Sequence, residues 1–297
     1  MTPKPEILCI GSVLWDVIGR AASHMRQGSD VPGRITRLPG GVAMNIAMTL
    51  TRFNLTPALL TTIGTDDEGR ELLTACESMG MNCDYVYISE DLPTDIYMAI
   101  EGANGLIAAI ADAHSLEAAG DKILRPLSDG VLGTAKSPYG GIIALDGNLT
   151  QSLLETIAHS PYFRAADMRV APASPGKVMR LMPLLNQLNV TLYVNLEEAG
   201  LLCQTCFQSS SDAANALIAQ GTHRVLVTDG AKSASIGSDQ GIITQTPPAV
   251  LVTRVTGAGD TFMAAHIAAE MRGEAPDVAL MSALAAAATY VSGETPL

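Results

Sequence analysis

The chain is 297 residues long, 47% hydrophobic and 16% charged, with 18 Lys and Arg against 30 Asp and Glu for a formal charge of -12. That length and apolar content suffice for one large domain spanning 1–297 with its own core, and the acidic balance argues against nucleic acid as a partner. A charged fraction below the roughly 25% usual in soluble domains points to extensive burial.

In chain order, short β-type runs at Ile7–Ile10, Leu59–Ile63, Ile142–Leu145, Leu192–Val194 and Val225–Thr228 alternate with helical patterns at Ile46–Phe53, Glu68–Met79, Gln151–His159, Lys177–Leu188 and Asp212–Gln220. This alternation predicts an α/β fold, a mostly parallel central sheet flanked by helices. Two pairs of extended segments break the rhythm: Val13–Ile18 with Ile35–Leu38, and Ile96–Ile100 with Leu106–Ile110. The second pair is joined by the turn Gly102-Ala103-Asn104-Gly105, and no helix follows either directly. Both pairs read as a small antiparallel β flap, a lid from about 12–39 and 92–112, or equally as edge strands. Past Gly257 a helix follows with Met263, Ile267 and Met271 in step, stopping at Arg272-Gly273, and Ala283–Ala288 reads as tightly packed helix.

The apolar run after Lys4 and Glu6 is too short for a signal-peptide core, and no other segment approaches a membrane span. Five cysteines, Cys9, Cys76, Cys83, Cys203 and Cys206, form an odd set suited to a reducing compartment. A cytoplasmic protein with no membrane partner is expected. Cys203 and Cys206 lack the second pair of a zinc signature, and their role stays open. The histidines show no metal-ligand spacing, and Trp15 suits either core packing or the face of a ligand.

Three small-residue turns carry the chemistry. Gly40-Gly41-Val42-Ala43-Met44-Asn45 opens a helix with two glycines, so that a ligand can approach the backbone, and puts the Asn45 amide in the first turn. Asn195-Leu196-Glu197-Glu198 follows a strand and pairs an amide with a carboxylate one helical turn on. Val255-Thr256-Gly257-Ala258-Gly259-Asp260 opens another helix, with N–H groups that can converge on an anion and an aspartate placed to accept a proton. Alone, each serves equally as a structural turn or a helix cap.

Together, in this order and separation, the three segments resemble those of the ribokinase-like sugar and nucleoside kinases, the phosphofructokinase-B family, over nearly the whole chain. Val227 to Lys232 is similar to the family's nucleotide-side segment, with Ala234 where a glycine usually ends it. The resemblance implies a ribokinase-like fold and transfer of the γ-phosphoryl of ATP to a primary hydroxyl of a nucleoside or sugar. It implies Asp260 as general base, with Gly257, Ala258, Gly259 and Asp260 supplying anion-hole amides. It places Asp16, Gly41 and Asn45 at the acceptor, Asn195, Thr228, Gly230 and Lys232 at the nucleotide, and Glu198 at Mg²⁺ through water. The positive helix end is then expected to favour ionised Asp260. Flaps of this family often pair between subunits, which implies a homodimer through the lid.

Within the family, Pro93-Thr94-Asp95-Ile96-Tyr97 with Ile107 to Asp112 is similar to the flap of the pseudouridine kinase branch, as are Asp146-Gly147-Asn148-Leu149 and Pro172 to Lys177. This implies Tyr97 at the acceptor and pseudouridine, phosphorylated on its 5′ hydroxyl, as substrate, with ribose or another sugar as the alternative. Two departures bear on it. Ala171 stands where the branch has an aspartate, and Arg254 where many members have an aspartate at a monovalent-cation site; its guanidinium either stands in for the cation's charge or forms a surface pair, and K⁺ is not expected to be required.

Other enzyme classes fit poorly. Gly257-x-Gly259 has Phe262 where a dinucleotide fingerprint needs its third glycine, Gly176-Lys177 lacks the rest of a Walker loop, and Ser174-x-x-Lys177 has no Lys-Thr-Gly partner. A non-catalytic relative that binds a nucleoside or sugar as a sensor is the remaining reading.

Overall fold

The computed structural model describes residues 4–26 and 28–293. Strand β1 (Ile7–Ile10) leads to β2 (Leu14–Arg20), β3 (Arg34–Gly40), helix α1 (Val42–Arg52), β4 (Ala58–Leu60), β5 (Thr62–Gly64), α2 (Asp67–Ser78), β6 (Tyr87–Ser89), β7 (Ile96–Gly102) and β8 (Gly105–Asp112). Helix α3 (His114–Ala119) and a 3₁₀ segment over Gly120–Leu127 precede β9 (Ile142–Asp146), α4 (Gln151–His159), β10 (Asp167–Ala171) and a second 3₁₀ segment over Pro175–Leu184. Then come β11 (Val190–Asn195), α5 (Leu196–Cys203), α6 (Ser210–Ala219), β12 (Arg224–Thr228), β13 (Ala234–Ser238), β14 (Gly241–Gln245), α7 (Ala258–Met271) and α8 (Pro276–Ser292).

The large sheet runs β14-β13-β12-β11-β10-β9-β1-β4, parallel from β12 to β4 and antiparallel at the β13 and β14 edge. Its strands are covered on both faces, so their side chains divide by parity. Within β1, Leu8 and Ile10 join Leu154 and Ile157 of α4 and Leu217 of α6, whereas Ile7 and Cys9 join Ile46 and Leu50 of α1 and Met263 and Ile267 of α7. Each such Leu or Ile contributes about 1.5–3 kcal/mol by leaving water.

The smaller sheet has the order β3-β2-β7-β8. It is not antiparallel throughout: β2–β3 and β7–β8 are antiparallel pairs, but β2 and β7 run parallel. The expected single run Leu59–Ile63 breaks at Thr61, whose carbonyl accepts from Tyr87 N at 2.9 Å. The chain thereby leaves the large sheet, and β5 pairs with β6 in a separate ribbon. Where an α-helix was expected over Lys177–Leu188, the chain forms a 3₁₀ helix over Pro175–Leu184 that carries Pro183, whose N cannot donate to an α-helical ladder.

Strand β10 escapes a hydrophobic reading because Asp167 and Arg169 interrupt it. Arg169 is nevertheless buried, bonded to Asp167, Tyr193 and Glu270, and Arg224 of β12 also pairs with Glu270, which ties α7 to the sheet. Tyr193 Oη accepts from Arg169 and lies 2.8 Å from His266 Nδ1. Burial pushes the Glu270 carboxyl up, but Arg224 and Arg169 pull it down further, to about 2. Burial pushes His266 down to about 3, and its Nε2 has no hydrogen-bond partner among the described residues.

The unfolded chain therefore takes the His266 proton first, and stability present above pH 6.5 is lost as pH falls toward about 3. For Glu270 the corresponding loss begins only near 4.5 and runs to about 2. We expect His266→Gln to flatten the decline of the urea midpoint between about pH 6.5 and 4.5, where Glu270 contributes little.

Candidate active site

Following β1 the chain turns to β4 on one side and to β9 through β12 on the other, so the strand order reverses at β1. The carboxyl ends of parallel strands at such a reversal leave a crevice. A cleft of about 600 Å³ lies there, lined from the β1 end by Ser12, from the smaller sheet by Asp16 and Tyr97, from α1 by Asn45, from the β11 and β12 ends by Asn195 and Thr228, and from α7 by Asp260.

Glycine is required where two helices open onto this cleft. Gly41 has φ 97°, and a Cβ there would stand 2.4 Å from the Ser12 carbonyl oxygen. Gly257 has φ 85°, and its Cβ would stand 2.7 Å from Tyr290 Oη, which donates to Thr256 O at 2.8 Å. These turns aim α1 and α7 at one point, where Asn45 Nδ2 donates to Asp260 Oδ2 at 2.8 Å across 215 positions of sequence.

Burial is the main influence on Asp260 and raises its carboxyl to about 7, against the pull of the Asn45 hydrogen bond and with help from the charges of Asp146 and Glu198. Against the expectation that the helix end favours its ionised form, the carboxyl is displaced upward, by burial first and by the charges of Asp146 and Glu198. Near neutral pH Asp260 sits in mid-titration, where a carboxyl can both take up and release a proton. Asp16 is likewise pushed up by burial, to about 6.

At the β11 end, Asn195 Oδ1 accepts from Glu198 N and Glu198 Oε2 accepts from Asn195 N, both at 2.8 Å, a reciprocal cap on α5. Both residues also line the cleft. Burial raises the Glu198 carboxyl, most strongly among its influences. No cluster of three or more His, Cys, Asp or Glu suited to a metal occurs among the described residues. A single half-engaged carboxylate fits a magnesium ion that keeps its waters and arrives on phosphates, rather than one caged by protein.

The remaining expected residues divide. Gly41, Gly257, Gly259 and Thr228 line the cleft; Ala258, Gly230 and Lys232 are not among its lining residues. The Ala258 amide donates to Val255 O at 3.1 Å, and exposed Lys232 pairs with Asp229 at 3.1 Å. Arg254 stacks 3.9 Å from the Tyr290 ring centroid and donates from Nε to Tyr290 O at 2.8 Å. Trp15 is buried beneath the Arg37 guanidinium and donates to Glu68 O. Cys203 and Cys206 are free thiols, and exposed His114 pairs with Asp112.

Sequence reasoning left one group unassigned. Ser12 donates from N (2.8 Å) and Oγ (2.5 Å) to Asp146 Oδ2, while Ser12 Oγ accepts from Val42 N at 2.9 Å and from Asn148 Nδ2 at 3.0 Å. Asn148 Oδ1 in turn accepts from Lys177 Nζ at 2.6 Å. The usable signal was a polar pair, Asp146 and Asn148, at a strand's carboxyl end. Lys177 was marked only as the end of the Pro172 to Lys177 segment, and nothing local distinguishes Ser12.

A half-buried carboxyl at a glycine-opened helix start, held by an amide from a second helix in a strand-end crevice, is an arrangement suited to proton transfer on a small ligand. Residues 4–295 match the model of the pfkB family of carbohydrate kinases. The chain belongs to that family and is a kinase of the sugar and nucleoside class. It is 28% identical over 275 residues to a pseudouridine kinase of Escherichia coli K12, covering 89% of this chain and 83% of that one. It is 25% identical over 309 residues to a guanosine-inosine kinase of Exiguobacterium acetylicum, covering 97% and 94%. The structure of Arabidopsis thaliana ribokinase complexed with ribose and ATP superposes with a TM-score of 0.78 at 21% identity, over 97% of this chain and 93% of that one, and confirms the ribokinase-like fold.

In the free protein, the Asp260 carboxyl carbon is expected to titrate near pH 7 by ¹³C NMR. Asn45→Ala removes the hydrogen bond that holds it down, so its midpoint should move to higher pH.

Proposed function

We propose that this kinase transfers the γ-phosphoryl of ATP to the 5′ hydroxyl of pseudouridine, with Asp260 as the general base. The observation that carries the reading is the Asn45–Asp260 contact, which joins the acceptor-side and phosphate-side segments in one cleft. The similarity to a curated pseudouridine kinase supports the choice of acceptor, and ribose or another sugar is the alternative. Asp16, Gly41, Asn45 and Tyr97 are assigned to the acceptor, and Asn195, Thr228, Gly230 and Lys232 to the nucleotide. The 257–260 amides receive the transferred charge, for which Ala258 must release Val255 O. Glu198 would hold Mg²⁺ through its waters, and that ion supplies charge neutralisation on the phosphates.

The smaller sheet is assigned as a lid over a single catalytic domain. Its exposed Ile35, Leu38, Leu106 and Ile110 support pairing with a second copy, as a homodimer through the lid. Among the described residues no helix is long and apolar enough to cross a membrane. Arg254, fixed by Tyr290 beside the 257–260 turn, places a permanent cation there and supports turnover without K⁺.

ADP release measured with pseudouridine, uridine and ribose tests the reading. Asp260→Asn should lower kcat by roughly 10²–10⁴-fold and leave ATP affinity nearly unchanged. Pseudouridine binding without ADP release from the wild type identifies a sensor instead. Replacing Na⁺ by K⁺ at constant ionic strength should leave the rate within about twofold, and a large activation would overturn the role given to Arg254.

A further inference from the structure

Helix α1 has no side-chain cap of its own. Its N-cap position is Gly41, which has nothing to offer a first-turn amide, yet the N–H groups of that turn need acceptors. Ser12, 30 positions earlier on the connection from β1 to β2, supplies them: its Oγ accepts from Val42 N at 2.9 Å and its carbonyl accepts from Met44 N at 3.2 Å. The approach is this close because position 41 lacks a Cβ, which would stand 3.0 Å from Ser12 Oγ. The turn so held ends on Asn45, whose own N donates to Gly41 O at 2.8 Å.

Ser12 also lines the cleft, which invites reading its hydroxyl as a contact for the acceptor. Its hydrogen bonds exclude that. A serine hydroxyl has one proton and two lone pairs. The lone pairs receive Val42 N and Asn148 Nδ2, the latter at 3.0 Å, and the Asn148 amide is oriented by Lys177 Nζ, which donates to its Oδ1 at 2.6 Å. The proton goes to Asp146 Oδ2 at 2.5 Å, an oxygen that also accepts from Ser12 N at 2.8 Å. Asp146 is fully buried, and its Oδ1 accepts from Asn148 N at 2.7 Å. The hydroxyl is therefore saturated and fixed, with nothing left for a ligand.

Asn45 is the residue next to Met44, and from there its Nδ2 reaches Asp260 Oδ2 at 2.8 Å. Resting on the kinase reading above, in which Asp260 is the base, we infer that Ser12, anchored by Asp146, is a positioning residue that caps α1 from outside the helix and so holds Asn45 at hydrogen-bonding distance from Asp260. Ile46 and Leu50 hold the body of α1 in the apolar cluster, and the Ser12 bonds hold its first turn.

The test is a double-mutant cycle of Ser12→Ala and Asn45→Ala, read in the free protein by ¹³C titration of the Asp260 carboxyl. The Asn45 hydrogen bond lowers that midpoint, so Ser12→Ala should raise it, as Asn45→Ala does, and should raise it no further once Asn45 is gone. Asp16, Lys177 and Glu198 line the same cleft and Asp146 also bears on Asp260, and none of the four is altered in the cycle. With MgATP and the best acceptor among pseudouridine, uridine and ribose, kcat/KM should fall about 10- to 100-fold in Ser12→Ala, but less than about threefold when the same change is made in the Asn45→Ala protein. A Ser12→Ala protein with a lower urea midpoint and an unmoved Asp260 titration has lost a cap that serves stability alone, which overturns the inference. So does a shift of equal size in both backgrounds, which would run through Asp146 rather than Asn45. Should Ser12→Ala not fold, Ser12→Cys, which fills the space but bonds weakly, carries the same expectations. Coupling by NMR in a wild type that turns over no acceptor would keep the role of Ser12 and sink the kinase reading. Turnover by a wild type whose Asp260 titration is indifferent to Ser12→Ala would do the opposite.

Discussion

The hydrogen bond from Asn45 to Asp260 is the constraint around which the cleft is organised. It closes only if α1 and α7 pack side by side on one face of the sheet with their amino ends level, and the shared apolar cluster of Ile46, Leu50, Met263 and Ile267 provides that packing. The glycine turns at 41 and 257 then set the direction from which each helix enters. Burying a carboxyl beside two other carboxylates is unfavourable for its charged form, and the amide offsets part of that cost. The result is a group poised between protonation states, as proton transfer near neutral pH asks.

Remote from the cleft, the far end of α7 is held by ion pairs. Glu270 meets Arg169 and Arg224, while Tyr193 and His266 fill the space between helix and sheet. The aromatic ring of Phe262 lies stacked toward His266 and edge-on to Tyr193, so the packing runs continuously from the ion pairs to the cleft floor. This arrangement makes α7 a rigid mount for Asp260. A site that works by positioning and electrostatics needs such rigidity, since small displacements of a charged group cost large factors in rate.

Much of this was legible from local pattern. The β-run Ile7–Ile10, the capping pair Asn195 and Glu198, and the glycine-led helix at Gly257 each rest on interactions within a few residues, and each forms where expected. The unread parts have non-local causes. Strand β10 was hidden because Arg169 is polar, and its burial depends on partners that include Glu270, 101 positions later. The break at Thr61 depends on Tyr87, and the parallel pairing of β2 with β7 joins segments with no intervening turn to announce it. The upward displacement of Asp260 depends on desolvation by the assembled protein, a term that no spacing of residues encodes.

By itself the sequence determined the α/β class, the alternation of strands and helices over most of the chain, and the three turns that carry the chemistry, because periodicity, capping and glycine's freedom at positive φ act over a few neighbouring residues. The tertiary structure alone decided which of those turns meet, that Ser12, Asp146, Asn148 and Lys177 form one chain of hydrogen bonds, and how protonation is set at Asp260. Those outcomes depend on distance and burial in three dimensions, which sequence separations as large as 215 residues leave unspecified.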